Sequence, residues 1–117
     1  RHNIWEIATH AAYWKYAAWR RLTAAKRGSF ALDGSDWFPS PAPARAPAWR
    51  ESKQLLDAEH LRLRTAIRDL SVSRLSRRPR GSQLTRAALI RGIAAHDLYH
   101  ASQVQLLKRL QGRRRPV

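Results

Sequence analysis

No cysteine and no methionine occur among the 117 residues. The first absence excludes disulfides, thiolate metal sites and a cysteine nucleophile together, and it leaves the redox compartment open. The second, in a chain that begins with Arg1, reads as a missing portion of the N-terminus. Long apolar runs are lacking too. Nothing approaches the roughly 18 uninterrupted apolar residues of a membrane span, and no signal peptide precedes the helical pattern that starts at once in "RHNIWEIATH". We expect no membrane association and a cytoplasmic location. Negative charge is scarce, with 8 acidic residues against 23 Lys and Arg, giving a net charge of +15. That balance raises the prospect of nucleic acid or other anionic partners. Yet the positive charge follows the helices generally, with small clusters at 74–80 and 108–115, as a solvated basic surface does. No zinc finger, RNP-type segment or helix-turn-helix accompanies it.

With 44% hydrophobic residues the chain can bury a real core, and its length suits a single domain over 1–117. Three long amphipathic helices are expected. Residues 3–26 open with Asn3 as N-cap and Glu6 three positions on, a capping-box spacing. Ile4, Ile7, Ala8, Ala11, Trp14, Ala18 and Leu22 then recur at helical period, and Gly28 ends the helix. Residues 49–75 carry the stripe Leu56, His60, Leu63, Ile67 and Leu70. Residues 83–110 carry Leu89, Ile93, His96, His100, Val104 and Leu107, and Gly112 ends that helix before a basic tail at 111–117. Between the first two helices, residues 28–48 hold two glycines and four prolines and cannot be a regular helix. This connection is long enough to run the length of a bundle, so the helices it joins can be parallel neighbours. Phe30, Trp37 and Phe38 would pin it to the body. The fold class is all-α, of four-helix-bundle type with one long crossover and one helix short.

The third helix poses the chemical question. His96 and His100 stand four apart, about 40° around a helix, so both rings project from one face. Imidazoles in a core stripe need partners, because burying a polar ring costs free energy unless it is paired. Hydrogen-bonded core histidines meet that need, and so does a shared divalent metal. A third ligand would come from another helix. His10, at the edge of the first helix's stripe, is the better candidate. His60 is read as a core histidine or a group that orients a ligand, ahead of a fourth ligand. Glu6, Asp97 and Gln103 are placed where they could orient an imidazole through its second nitrogen, although capping or surface charge also accounts for Glu6 and Asp97. Tyr99 points away from His100 and is expected to be packed or at a helix–helix interface. Trp5, Trp14, Trp37 and Trp49 are core residues that could also border the mouth of a site.

Three segments, "IWEIATHAAYW" (4–14), "DWFPSPAPARAPAW" (36–49) and "AAHDLYHASQVQLLKRL" (94–110), together resemble the DinB-like (DinB/YfiT) superfamily of metal-dependent proteins. The resemblance implies a four-helix bundle with a long connection between its second and third helices, and a metal site of one histidine on helix two and two on helix four. By motif position these are His10, His96 and His100. It implies a divalent metal, zinc or nickel first, then iron or manganese. It also implies a homodimer and metal-dependent hydrolase chemistry or, as in the members of known activity, thiol-dependent S-transfer or maleylpyruvate isomerisation. An anionic small molecule or thiol cosubstrate would suit the basic chain. The family's first helix has no counterpart before residue 1. A non-catalytic metal-binding bundle and a basic nucleic-acid-binding helical protein are the competing readings.

Overall fold

A computed structural model describes residues 2–113. Helix α1 (Ile4–Thr23) opens on the expected capping box. Asn3 Oδ1 accepts the Glu6 N–H at 2.8 Å, and Glu6 Oε1 accepts the Asn3 N–H at 3.0 Å. It closes earlier than the expected residue 26, because Ala24 takes the left-handed conformation (φ 56) and its N–H returns to the Arg20 carbonyl. Gly28, the expected terminator, lies beyond in the loop.

Helix α2 (Ala46–Arg68) begins three residues before the expected 49. Pro47 is the reason: in the first turn of a helix no N–H is required of it. The helix does not run on to residue 75. It breaks after Arg68, and the chain makes a separate short turn of helix, α3 (Val72–Leu75). Helix α4 (Arg86–Arg113) starts after Thr85, whose hydroxyl accepts the Ala88 N–H at 3.2 Å. Gly112 lies within α4 instead of ending it. Of the expected basic tail, residues 114–117 fall outside the described residues, as does Arg1.

α1 and α2 run parallel, as the long connection allows: Trp5 Nε1 donates to Ser52 Oγ near their starts (2.9 Å), and Lys15 reaches His60 ten residues on (3.1 Å). α4 runs antiparallel to α1. α1 packs against both of the other long helices. The main apolar cluster sits at the C-terminal end of α1, where Ala18 and Leu22 meet Leu63, Leu89 and Ile93, flanked by Trp19, Ile67 and Leu70. Each leucine or isoleucine there contributes about 1.5–3 kcal/mol on full burial.

The bundle is open on one side. A groove of about 460 Å³ lies between α1, α2 and α4, walled by Ile4, Ile7, Ala8, Leu56 and Val104. The connection between α1 and α2 is held down as expected. Phe38 is buried and Phe30 packs edge-on against Tyr13 with ring centroids 5.5 Å apart. No helix among the described residues is long and apolar enough to cross a membrane.

Candidate metal centre

His10 lies two turns into α1 and faces the middle of α4, and the antiparallel run brings it opposite His96 and His100. The three rings converge through their Nε2 atoms. His96 Nε2 is 3.1 Å from His10 Nε2 and 3.1 Å from His100 Nε2. One ligand atom from each ring lies within 4.8 Å of the others. His10 and His100 are buried, and His96 is partly exposed.

What the far side of each ring touches fixes its proton. His10 Nδ1 is 2.8 Å from the Asp36 carbonyl oxygen. A carbonyl only accepts, so this nitrogen carries the hydrogen and Nε2 presents a lone pair. His100 Nδ1 is 2.6 Å from Gln103 Oε1, while Gln103 Nε2 donates to the Tyr99 hydroxyl at 3.3 Å. The same logic leaves the His100 Nε2 lone pair pointing inward. Two lone pairs therefore meet at His96 Nε2.

If His96 carries its hydrogen on Nε2, one donor is shared between two acceptors. If it carries it on Nδ1, three lone pairs converge, which only a cation stabilises. His96 Nδ1 is buried without a hydrogen-bond partner, and so is Asp97 Oδ1; the two stand 3.9 Å apart, too far for a hydrogen bond. The donor set fits a metal. A tetrahedral ion with nitrogen ligands at 2.0–2.1 Å separates them by about 3.3 Å, close to the 3.1 Å seen here.

Electrostatics favour the ligand form. Burial holds the His10 imidazole below its usual range, against the opposing pull of the Asp36 carbonyl, and His100 adds to the depression. Burial, then the neighbouring His100 and His10, depress His96 in the same way. Both rings are kept neutral, as a metal requires.

The connection supplies the lid. Trp37 stacks flat on His10 with centroids 3.7 Å apart and is covered on its other face by His2, at 3.5 Å. Asp36 adopts φ 68, a left-handed conformation that Asp tolerates better than most residues. This turns its carbonyl to His10 and its Oδ1 to Trp14 Nε1, which donates at 2.8 Å.

Of the other residues expected near the site, Gln103 is in place on His100. Asp97 is adjacent to His96 but engaged by Lys15. Glu6 is spent on the helix cap and meets only His2, at 3.9 Å. His60 is no core residue: it is exposed on α2 and accepts from Lys15 Nζ at 3.1 Å. Tyr99 is exposed, not packed, with its ring edge-on to His100 at 5.2 Å. Trp14 and Trp37 flank the histidines, whereas Trp5 and Trp49 pack on each other at the start of the α1–α2 interface, 5.3 Å apart.

Two contributors escaped the sequence reading. Asp36 has no signal beyond its loop, since both its carbonyl and its carboxylate reach the site only through a left-handed backbone turn. Lys15 had one: it stands four after Ala11 and three before Ala18, inside the apolar stripe where a charge is out of place.

A family model described as the DinB superfamily matches residues 1–104. No curated protein and no solved structure gives a significant match to the chain.

Proposed function

We propose, from the premise that this chain belongs to the DinB superfamily, that it is a metal-dependent enzyme of hydrolase or thiol S-transferase type, whose divalent ion is held by His10, His96 and His100. The observation that carries the reading is the convergence of three Nε2 atoms from two helices on one point. A divalent ion held by His10, His96 and His100 would supply Lewis-acid chemistry, lowering the pKa of a water or thiol or polarising a carbonyl.

The chain's own residues do the rest. The Asp36 carbonyl and Gln103 Oε1 hold the His10 and His100 rings by their Nδ1–H groups and fix their tautomers. Trp37 covers one face of His10 and keeps water from it. The absence of cysteine assigns any reacting thiol to the substrate. The basic surface draws anionic substrates by its field. Zinc and nickel suit three imidazoles best, with iron or manganese as alternatives. The open groove beside α1 is apolar, which supports pairing with a second copy in a homodimer.

Elemental analysis of protein purified without a histidine tag or nickel resin tests the site. We expect one divalent ion per chain, lost in His96→Ala and in His100→Ala with helical circular dichroism retained. Unchanged metal content in both variants overturns the reading.

A further inference from the structure

We propose that Lys15 is a positioning residue of the histidine cluster, acting through Asp97 on His96; this rests on the metal reading above. Lys15 is only 8% exposed and its position in α1 is one that periodicity reserves for an apolar side chain. Buried lysines are rare because removing an ammonium from water is costly, and an ion pair in such a place is often no more stabilising than well-packed apolar residues. Packing therefore does not account for its presence. Its contacts do.

Lys15 Nζ pairs with Asp97 Oδ2 on α4 and donates to His60 Nδ1 on α2 at 3.1 Å. Each long helix thus contributes one member of a polar tie, immediately beside His96. The tie occupies one oxygen of Asp97 and leaves the other, Oδ1, buried without a partner. The nearest matching group is the equally unpartnered His96 Nδ1, 3.9 Å away. A ring or carboxylate shift of about 1 Å brings the two within hydrogen-bond distance.

The demand for that bond arises only when His96 gives its Nε2 lone pair to a metal, because its hydrogen then sits on Nδ1. His10 and His100 already have their acceptors in Asp36 and Gln103. Asp97 Oδ1 is the acceptor for the third ring. Lys15 is what holds Asp97 in place to serve it, with His60 steadying the ammonium from the α2 side. Metal-ligating histidines regularly donate their second N–H to a carboxylate or carbonyl, and loss of that partner costs about 10–100-fold in affinity.

The test uses the full chain and zinc, with affinity measured by competition with a chromophoric chelator and Tm measured on metal-free protein. Lys15→Met is expected to lower zinc affinity about 10–100-fold and also to lower the Tm of the metal-free chain, because it leaves the Asp97 carboxylate without its partner. Asp97→Ala, which removes the acceptor altogether, is expected to lose a similar factor. The double variant should bind no worse than Asp97→Ala alone, because both changes act through the one hydrogen bond to His96. Lys15→Arg, which still reaches Asp97, should keep most of the affinity, and Lys15→Gln replaces Lys15→Met if the latter does not fold. Wild-type affinity in Lys15→Met, or losses that add in the double variant, overturns the inference. A wild-type chain that takes up no zinc overturns the metal reading itself, and the inference with it.

Discussion

The interface between α1 and α4 changes character along its length. Toward the C-terminal end of α1, Ala18 and Leu22 meet Leu89 and Ile93, and Leu63 of α2 closes the cluster without a polar atom. One to three turns earlier the same helices meet through His10, Lys15, His96, Asp97 and His100. The apolar end needs nothing but shape. The polar end needs partners for its ring nitrogens: His10 takes one from the α1–α2 connection and His100 one from the next turn of α4, while His96 Nδ1 has none. The apolar core and the candidate metal site thus occupy different ends of one helix pair.

The largest effect expected from separating them is at the apolar end. Leu22 is 4% exposed, and Leu22→Ala should cost about 2–5 kcal/mol of stability. Zinc affinity of the fraction that stays folded should be unaffected, as read by urea denaturation alongside chelator competition. An affinity that falls as steeply as the stability would show that the two ends are one cooperative unit.

The converse substitution sharpens the contrast. Gln103→Leu removes the acceptor of the His100 Nδ1–H at a partly exposed position. Zinc affinity is expected to drop about 10–100-fold with little change in the Tm of the metal-free protein. A large fall in Tm with unchanged affinity would instead make Gln103 a structural residue.

The two ends also differed in how well the sequence disclosed them. Helical period revealed α1, α2 and α4, the apolar cluster, and the placement of His10 opposite the His96–His100 pair. Period works there because burial selects one face of a helix. Helix ends were less legible. Ala24 closes α1 by a left-handed turn that nothing in its side chain announces, and Pro47 stands inside α2 because a first helical turn has no use for its missing N–H. The surroundings of the histidines were the least legible. The Asp36 carbonyl reaches His10 through a backbone turn 26 residues away, and Trp37 stacks on His10 by the same route. His60 illustrates the opposite error. It falls in the α2 stripe by count, yet it is exposed, beside the open groove between α1, α2 and α4.

The smallest expected effect is on pH dependence, to which the polar end contributes through two of its histidines. Burial depresses the His10 and His96 imidazoles in the fold below their ordinary 6.5, so unfolding takes up protons as the pH drops. Their contribution to stability is fully present above 6.5 and is lost as pH falls from there through the lowered folded values. Glu59 acts with the opposite sign. Its burial raises the carboxyl above 4.5 despite the Arg62 guanidinium, which donates to it at 2.6 and 2.8 Å. Its contribution is therefore full below 4.5 and is lost as pH rises through the raised value. Urea denaturation of metal-free protein in chelator should show stability declining as pH is lowered from 7 toward 5, with the histidines dominating the upper part of that range. His96→Gln should flatten the decline, and Glu59→Gln should steepen it, because the opposing term is gone. A decline that His96→Gln leaves untouched would mean that the ring is free to protonate inside the fold, and the division between an apolar end and a neutral, ligand-ready end would not hold.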